Sequence, residues 1–176
     1  MLTRRSFLKG AAGALAVAAV PGRLLAGARE ERILSFFNTH TNERLTVPYF
    51  ADGSYLPDAL TSLNSLLRDP LTGDVHAIDP ALFDILNDLR LATRSRSPFQ
   101  VISGFRSAQT NAMLRAKSGG VAKHSLHMEG RAIDVRLSDT RSAVLRDAAI
   151  ELQRGGVGYY GGPDFVHVDT GNIRRW

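Results

Sequence analysis

The chain has 176 residues, of which 44% are hydrophobic and 22% are charged, and it contains no cysteine. This composition excludes a disulfide framework and is typical of one globular domain with a core of its own. The formal net charge is +5, but four of the 22 Lys and Arg residues and none of the 17 Asp and Glu residues lie within residues 1–28. The rest carries 18 basic and 17 acidic residues, so its charge gives no support for a nucleic-acid partner.

The first 28 residues have the layout of an export signal. Arg4 and Arg5 open a basic segment, the apolar run Ala11–Val20 follows, and small residues up to Ala28 offer a cleavage site. The run is shorter than the roughly 20 apolar residues that span a bilayer. Because TRRSFLK resembles the twin-arginine export signal, we expect a signal peptide over residues 1–28 and a periplasmic mature protein without stable membrane insertion.

The mature part begins with signals for a hairpin and two helices. Two apolar segments around a polar stretch within residues 32–50 predict a β-hairpin. Leucines at helical spacing in SYLPDALTSLNSLLRD predict a first helix. A second helix is predicted after Asp79 as N-cap and Pro80 as first helical residue. The apolar stripe predicted for it consists of Leu82, Ile85, Leu86, Leu89 and Leu91.

The second half of the chain alternates strand and helix signals. Strands are predicted for FQVISGF, RAIDVRL, VGYY and FVHVDTG, and helices for SAQTNAMLRAKSGG and DTRSAVLRDAAIELQRGG. The run Gly161–Pro163 predicts a turn between the last two strands. The pattern as a whole predicts one α+β domain over residues 29–176, with a small antiparallel sheet flanked by helices.

Two of these strands carry polar side chains on the face opposite their apolar one. In RAIDVRL, Asp134 lies on the opposite face from the apolar residues, and in FVHVDTG the same holds for His167. If the strands are neighbours on one core, both side chains project to the same side. His127 lies seven residues before Asp134, past Gly130, so a loop can bring its imidazole over the strand. Two imidazoles and one carboxylate suit catalytic zinc better than calcium or magnesium.

The spacing alone leaves other interpretations open. A single histidine in a strand beside a core is more often hydrogen-bonded than bound to a metal. An aspartate at the end of a strand often pairs with arginine or caps a turn. The metal hypothesis therefore needs support from other segments of the chain.

Three segments resemble the zinc D-Ala-D-Ala peptidases. SLHMEGRAID is similar to their S-x-H-x-x-G-x-A-x-D signature, DFVH to their acidic-x-x-H motif, and SGFRS to their S-G-[YF]-R-S segment. All three occur in the family's order. These peptidases belong to the hedgehog-type metallopeptidase superfamily, and the remainder of the mature chain resembles its twin-arginine-exported murein endopeptidase branch.

The resemblance implies that His127, Asp134 and His167 bind one zinc ion. It also implies that Asp164 is the general base toward zinc-activated water. Asp164 lies three residues before His167, so a regular strand would place it on the opposite face, and it must lie in an irregular turn. Asp169 shares the parity of His167 and is kept as an alternative base, or as a residue that orients a ligand.

Further residues are assigned around this centre. Arg106, in SGFRS, is expected to hold a substrate carboxylate or the developing oxyanion, the alternative being a surface arginine at a helix start. Ser125 is expected on the substrate side or in a structural role. His124, which forms an H-x-x-H pair with the ligand histidine, is expected at the edge of the cleft. His40 and His76 are expected at the surface.

The resemblance implies a periplasmic zinc endopeptidase that hydrolyses peptide crosslinks between the stem peptides of peptidoglycan. A D,D- or L,D-carboxypeptidase remains an alternative, as does a zinc-holding cell-wall-binding module without turnover. A covalent nucleophile is not expected, because the chain has no cysteine and no G-x-S-x-G motif. We expect a monomer with no nucleic-acid partner.

Overall fold

The structure, a computed structural model, describes residues 30–117 and 120–176. The expected signal peptide, the cleavage site near Ala28 and the domain boundary at residue 29 lie outside the described residues. No helix within the described ranges is long and apolar enough to cross a membrane.

The described part of the chain forms eight strands, four α-helices and one 3-10 helix. In chain order they are β1 Arg32–Asn38, β2 Arg44–Ala51, β3 Ser54–Tyr55, α1 Pro57–Leu66, α2 Pro80–Thr93, β4 Phe99–Ser103, α3 Ala108–Lys117, the 3-10 helix Leu126–Glu129, β5 Ala132–Arg136, α4 Ser142–Leu152, β6 Gly156–Tyr160, β7 Phe165–Asp169 and β8 Arg174–Arg175.

The strands form one sheet in the order β3-β2-β1-β4-β5-β7-β6-β8. The α+β class is confirmed, but the sheet is larger than expected and mixed rather than antiparallel. The hairpin of β1 and β2 joins the rest through a parallel pairing of β1 with β4, and β8 pairs in parallel with β6. The edge strands β3 and β8 have two residues each, too few to show a period in the sequence.

The start of α2 follows the predicted capping pattern. The carboxylate of Asp79 accepts a hydrogen bond from the backbone N–H of Ala81 at 3.0 Å, and Pro80 is the first helical residue. Leu91 departs from the predicted stripe, because it is 58% exposed. It lies two residues after Leu89, about 200° around the helix from the buried face.

The core lies between one face of the sheet and the helices α1, α2 and α4. In the centre, Ile133 of β5 pairs with Val168 of β7, and Val135 pairs with Val166. All four are buried in the same core as the apolar residues of the three helices. The apolar face of β5 and β7 therefore packs against the core, and their opposite face carries the polar side chains.

Candidate metal centre

The register of two central strands brings Asp134 and His167 together. β5 and β7 are antiparallel neighbours, and these two residues are directly opposite each other. Residues that pair across neighbouring strands project from the same face of the sheet. The alternation of the two sequences therefore places a carboxylate and an imidazole side by side, on the face away from the core.

A glycine turn brings His127 to the same place. Gly130 ends the 3-10 helix with φ of 67°, and a Cβ there would lie 2.2 Å from the carbonyl oxygen of Ala77. Only glycine adopts this conformation readily and fits this space. The chain can thus reverse from the 3-10 helix into β5, and the backbone of His127 is held by the N–H of Arg106 at 3.1 Å.

The three side chains form a tight, buried cluster. The distances are 2.9 Å from His167 Nδ1 to Asp134 Oδ1, 3.3 Å from His127 Nε2 to the same oxygen, and 3.2 Å between the two nitrogens. Two ligands of a tetrahedral zinc ion, each about 2.0 Å from it, are roughly 3.3 Å apart. The spacing and the N, N, O donor set therefore fit a zinc ion; the three residues can hold a metal.

In each imidazole, the nitrogen that faces away from the cluster has an oxygen as its partner. This contact orients the other nitrogen of the ring toward the cluster. His127 Nδ1 lies 2.8 Å from the carbonyl oxygen of Gly104, and His167 Nε2 lies 3.0 Å from Asp169 Oδ2. An oxygen accepts, so each of these nitrogens carries the proton. With a metal ion in the cluster, His127 Nε2 and His167 Nδ1 would be unprotonated and would bind it, which is the usual arrangement of metal-binding histidines; without one, His167 Nδ1 donates to Asp134 Oδ1 at 2.9 Å.

Asp169 is fully engaged in this outer layer. It is 1% exposed, and it accepts hydrogen bonds from the N–H groups of Gly156 and Gly171 and from Arg174. Burial raises the pKa of Asp169, but the hydrogen bonds from His167 and Arg174 outweigh it and leave the pKa well below its usual range. A carboxylate with both oxygens occupied orients His167 and is poorly placed to accept a proton from substrate or water.

The electrostatics of the cluster favour a cation. Burial raises the pKa of Asp134, but the charges and hydrogen bonds of His127 and His167 bring it well below its usual range. Burial lowers the pKa of His167, but its hydrogen bonds to Asp134 and Asp169 outweigh this and raise it overall. An ionised carboxylate in a buried site requires positive charge nearby, which the imidazoles or a metal ion can supply.

Arg106 lies beside the cluster, and not all of its N–H donors have a hydrogen-bond partner within the described residues. It lies in the segment between β4 and α3, and its side chain is 11% exposed. Its Nη2 donates to Ser103 Oγ at 3.1 Å and lies 3.5 Å from Asp134 Oδ2. Within the described residues its buried Nε has no hydrogen-bond partner. Burial lowers the pKa of Arg106 and Asp134 opposes the shift, yet a guanidinium stays protonated in proteins.

Two adjacent cavities lie at the cluster. The first, called the cluster cavity, has a volume of about 380 Å³ and is lined by all three cluster residues together with Arg106, Tyr160 and Trp176. The second, called the apolar cavity, has a volume of about 320 Å³ and is lined mainly by apolar side chains such as those of Leu71, Phe105 and Leu114. Arg106, Asp134 and Phe165 line both cavities.

The structure does not bring Asp164 to this cavity. Asp164 lies in an irregular turn before β7, with φ of 58°. This turn was expected, because Asp164 lies three residues before His167. Its Oδ1 accepts a hydrogen bond from Ser142 Oγ at 2.5 Å, and it lines a different depression together with Arg136 and Arg141. Among the described residues that line the cluster cavity, Asp134 is the one carboxylate.

The other assigned residues lie as follows. His124 is exposed and lines the cluster cavity, where Ser125 joins it. His40 and His76 are exposed; His40 lines the apolar cavity, and the ring of His76 stacks on Phe105 at 4.7 Å.

Sequence reasoning missed several parts of the site. The carbonyl of Gly104 has no side-chain signature, so no motif could indicate its bond to His127. Arg174 and Trp176 approach the site through the pairing of β6 with β8, and Tyr160 through the pairing of β6 with β7. The one available signal was that the chain has a single tryptophan.

Comparison with known proteins identifies the family of the chain. A twin-arginine translocation pathway signal sequence matches residues 1–21. The family described as peptidoglycan L,D-endopeptidase MepK matches residues 26–176. The MepK protein of Escherichia coli strain K12 is 40% identical over 169 residues, which is 96% of this chain and 93% of that protein. The probable MepK of Haemophilus influenzae is 39% identical over 176 residues, with 98% and 95% covered.

The family match makes this chain an exported metallopeptidase of the M15 type, a group whose members are generally zinc-dependent. Within that group, it belongs to the peptidoglycan L,D-endopeptidase MepK family. The resemblance inferred from the three motifs is confirmed, and the twin-arginine signal directs the protein to the periplasm.

Proposed function

We propose that this protein hydrolyses peptide crosslinks of peptidoglycan at a zinc centre held by His127, Asp134 and His167. The observation that carries the proposal is the convergence of three ligand atoms, all within 4.8 Å of one another, from three separate elements of the fold. The substrate class follows from the family, which is described as peptidoglycan L,D-endopeptidase MepK.

The protein's own residues prepare the site for the metal. Zinc bound there would lower the pKa of a water molecule toward about 7 and polarise the scissile carbonyl. Gly104 and Asp169 hold the two imidazoles in the tautomers that leave a nitrogen free toward the ion. Burial of the cluster excludes competing bulk water, which strengthens each electrostatic interaction within it.

Arg106 is proposed to bind the negative charge of the substrate. Its buried Nε makes no hydrogen bond within the described residues, although an unsatisfied buried donor costs free energy. A carboxylate or a developing oxyanion in the cluster cavity would satisfy it. The planar guanidinium suits such an anion because it can present two parallel N–H donors.

The proposal leaves Asp164 out of the catalytic set. The motif resemblance predicts it as general base, but its carboxylate is bonded to Ser142 and lines another depression. Asp169 is proposed as the residue that orients His167, because both of its oxygens already accept hydrogen bonds.

The paired cavities favour an endopeptidase over a carboxypeptidase. An endopeptidase must hold peptide on both sides of the scissile bond, whereas a carboxypeptidase needs room for only one short terminal residue beyond it. The cluster cavity and the apolar cavity share Arg106, Asp134 and Phe165, so the two cavities are adjacent at the proposed zinc centre. We propose that the two halves of a crosslinked peptide occupy these two cavities.

Digestion of purified peptidoglycan sacculi tests this function. The released and remaining muropeptides are identified by mass spectrometry, with His167→Ala protein as control. We expect crosslinked dimers to decline and monomers to rise with the wild type alone. Release of single terminal amino acids with dimers unchanged would indicate a carboxypeptidase. Binding to sacculi without any product would indicate a binding module.

A further inference from the structure

The cluster cavity has one wall that catalysis at the zinc site does not explain. Trp176, the only tryptophan of the chain, lines this cavity and is 52% exposed. Its ring lies 5.2 Å from the ring of His167 at an angle of 50°. The ring thus gives the cavity beside the cluster an exposed aromatic surface on which an apolar group can pack.

Trp176 is held in place by several independent contacts. Its backbone N–H donates to Val157, and its carbonyl accepts from Tyr159 at 3.0 Å. The guanidinium of Arg174 lies 5.0 Å from the centre of its ring. These contacts fix the indole against the sheet, so its orientation toward the cavity is built into the fold.

Gly158 has no side chain and so leaves space for this ring. It lies opposite His167 in the pairing of β6 with β7, on the face that carries the cluster. A Cβ at Gly158 would lie 2.7–2.8 Å from three indole atoms of Trp176. The ring therefore occupies the space that any side chain at this position would need, and those nearest atoms belong to the indole rather than to a cluster residue.

Tyr160 extends the wall and adds a polar group. Its ring stacks on Phe165 at 4.5 Å, and its hydroxyl accepts the indole N–H of Trp176 at 3.0 Å. A hydroxyl that accepts one hydrogen bond can still donate its own proton to another acceptor. Trp176, Tyr160 and Phe165 all line the cluster cavity and together form what we call the aromatic wall.

We propose that the aromatic wall determines which peptide residue lies next to the scissile bond. The rings pack against a long aliphatic side chain of the stem peptide, and the Tyr160 hydroxyl donates to one of that peptide's oxygens. Arg106, whose buried Nε makes no hydrogen bond within the described residues, lines the same cavity, so the preferred residue has a run of methylene groups and carries a carboxylate. This inference rests on the proposed function, because it assigns substrate contacts around the proposed zinc centre.

The first test displaces the indole without touching a proposed ligand. Gly158→Ala puts a methyl group into the space that the indole of Trp176 occupies. Gly162→Ala is the matched control, because a Cβ at Gly162 meets nothing within 4 Å. We expect Gly158→Ala to keep its zinc and to raise KM for a crosslinked muropeptide about five- to tenfold, with kcat much less affected. Gly162→Ala should match the wild type in all three.

The second test reads binding rather than turnover. Because Trp176 is the only tryptophan, its fluorescence in the zinc-loaded protein reports directly on the wall. We expect a saturable change on titration with a soluble stem peptide that ends in diaminopimelate, and a weaker response to one that ends in lysine, which lacks the second carboxylate. Tyr160→Phe should bind several-fold more weakly, and Trp176→Phe should lose the signal.

The results separate this inference from the proposed function. Unchanged KM and unchanged binding in both Gly158→Ala and Tyr160→Phe would overturn the aromatic wall as a substrate contact. If Gly158→Ala loses zinc, Tyr160→Phe alone decides, because its side chain is not in the cluster. Saturable fluorescence without any cleavage of muropeptides by the wild type would support the wall and refute the proposed hydrolysis.

Discussion

The imidazole of His167 donates through Nε2 to Asp169, at 3.0 Å, and this hydrogen bond orients the ring toward the cluster. With its proton on Nε2, the ring presents Nδ1 to Asp134 and His127. Asp169 is itself fixed by Arg174 and by two backbone N–H groups. The geometry of the cluster therefore depends on a carboxylate that does not belong to it.

Replacing that carboxylate should weaken the metal site without removing a ligand. In Asp169→Asn the amide oxygen can still accept, but the charge that stabilises the ring and pairs with Arg174 is lost. We expect zinc affinity to fall about 10- to 100-fold, as is typical for partners of metal-bound histidines. Chelator competition measures this, with Asp147→Asn as a control on an exposed carboxylate. Wild-type affinity in Asp169→Asn would refute the orienting role.

One zinc ion per chain is expected in protein purified without chelators. His127→Ala should lose it, because the remaining two ligands cannot hold the ion tightly. Elemental analysis of both proteins measures the stoichiometry, and His40→Ala serves as control because His40 lies outside the cluster. Substoichiometric metal in the wild type, or full retention in His127→Ala, would contradict the proposed ligand set.

Asp164→Asn separates the motif resemblance from the geometry. Since Asp164 is bonded to Ser142 and lines another depression, we expect this variant to retain zinc and to release muropeptides at close to the wild-type rate. A general base typically contributes about 10²- to 10⁴-fold. A fall of that size with zinc retained would restore Asp164 as the base, and would mean that its turn moves toward the cluster when substrate binds.

Arg106→Lys should reduce turnover while leaving the metal in place. Lysine keeps the charge but cannot present two parallel donors to a carboxylate or oxyanion. We expect kcat/KM to fall roughly tenfold or more, which corresponds to about 1.4 kcal/mol of transition-state stabilisation. Steady-state kinetics on a purified muropeptide measures it, with the exposed Arg96→Lys as control. Unchanged kinetics would make Arg106 a structural residue.

Asp69 should make stability depend on pH in the acid range. It is fully buried, and it accepts the N–H groups of Ser107 and Leu71. Burial raises the pKa of Asp69, but hydrogen bonds from Thr110 and Ser107 outweigh it and lower the pKa to about 2. Because the unfolded value is about 3.9, this contribution is complete above pH 4 and is lost as pH falls toward 2.

The corresponding variant is Asp69→Asn, which leaves a buried N–H without an anionic acceptor. We expect a loss of about 1–3 kcal/mol in the free energy of unfolding at pH 7, and a smaller dependence on pH between 4 and 2. Denaturant unfolding at several pH values measures both, with the exposed Asp74→Asn as control. Equal acid sensitivity of wild type and Asp69→Asn would assign the effect to another carboxylate.

The sequence by itself determined that Asp134 and His167 lie on the polar faces of their strands. Alternation in RAIDVRL and FVHVDTG put Asp134 and His167 opposite the apolar residues, because a strand has a period of two whatever its neighbours are. Likewise, Gly130 marked the reversal that carries His127, and Asp79 with Pro80 marked the start of α2. Each of these is local chemistry, decided within a few residues of the chain.

Only the tertiary structure decided the parts that depend on which elements become neighbours. The parallel pairing of β1 with β4 made the sheet mixed, and the pairing of β6 with β8 carried Trp176 to the cluster. Asp164 and Asp169 both lie near His167 in the sequence, yet one turns toward Ser142 and the other toward the imidazole. Side-chain types indicate what a residue can do. Contacts between distant segments decide what it meets, because their pairing depends on burial of the whole core and not on local periodicity.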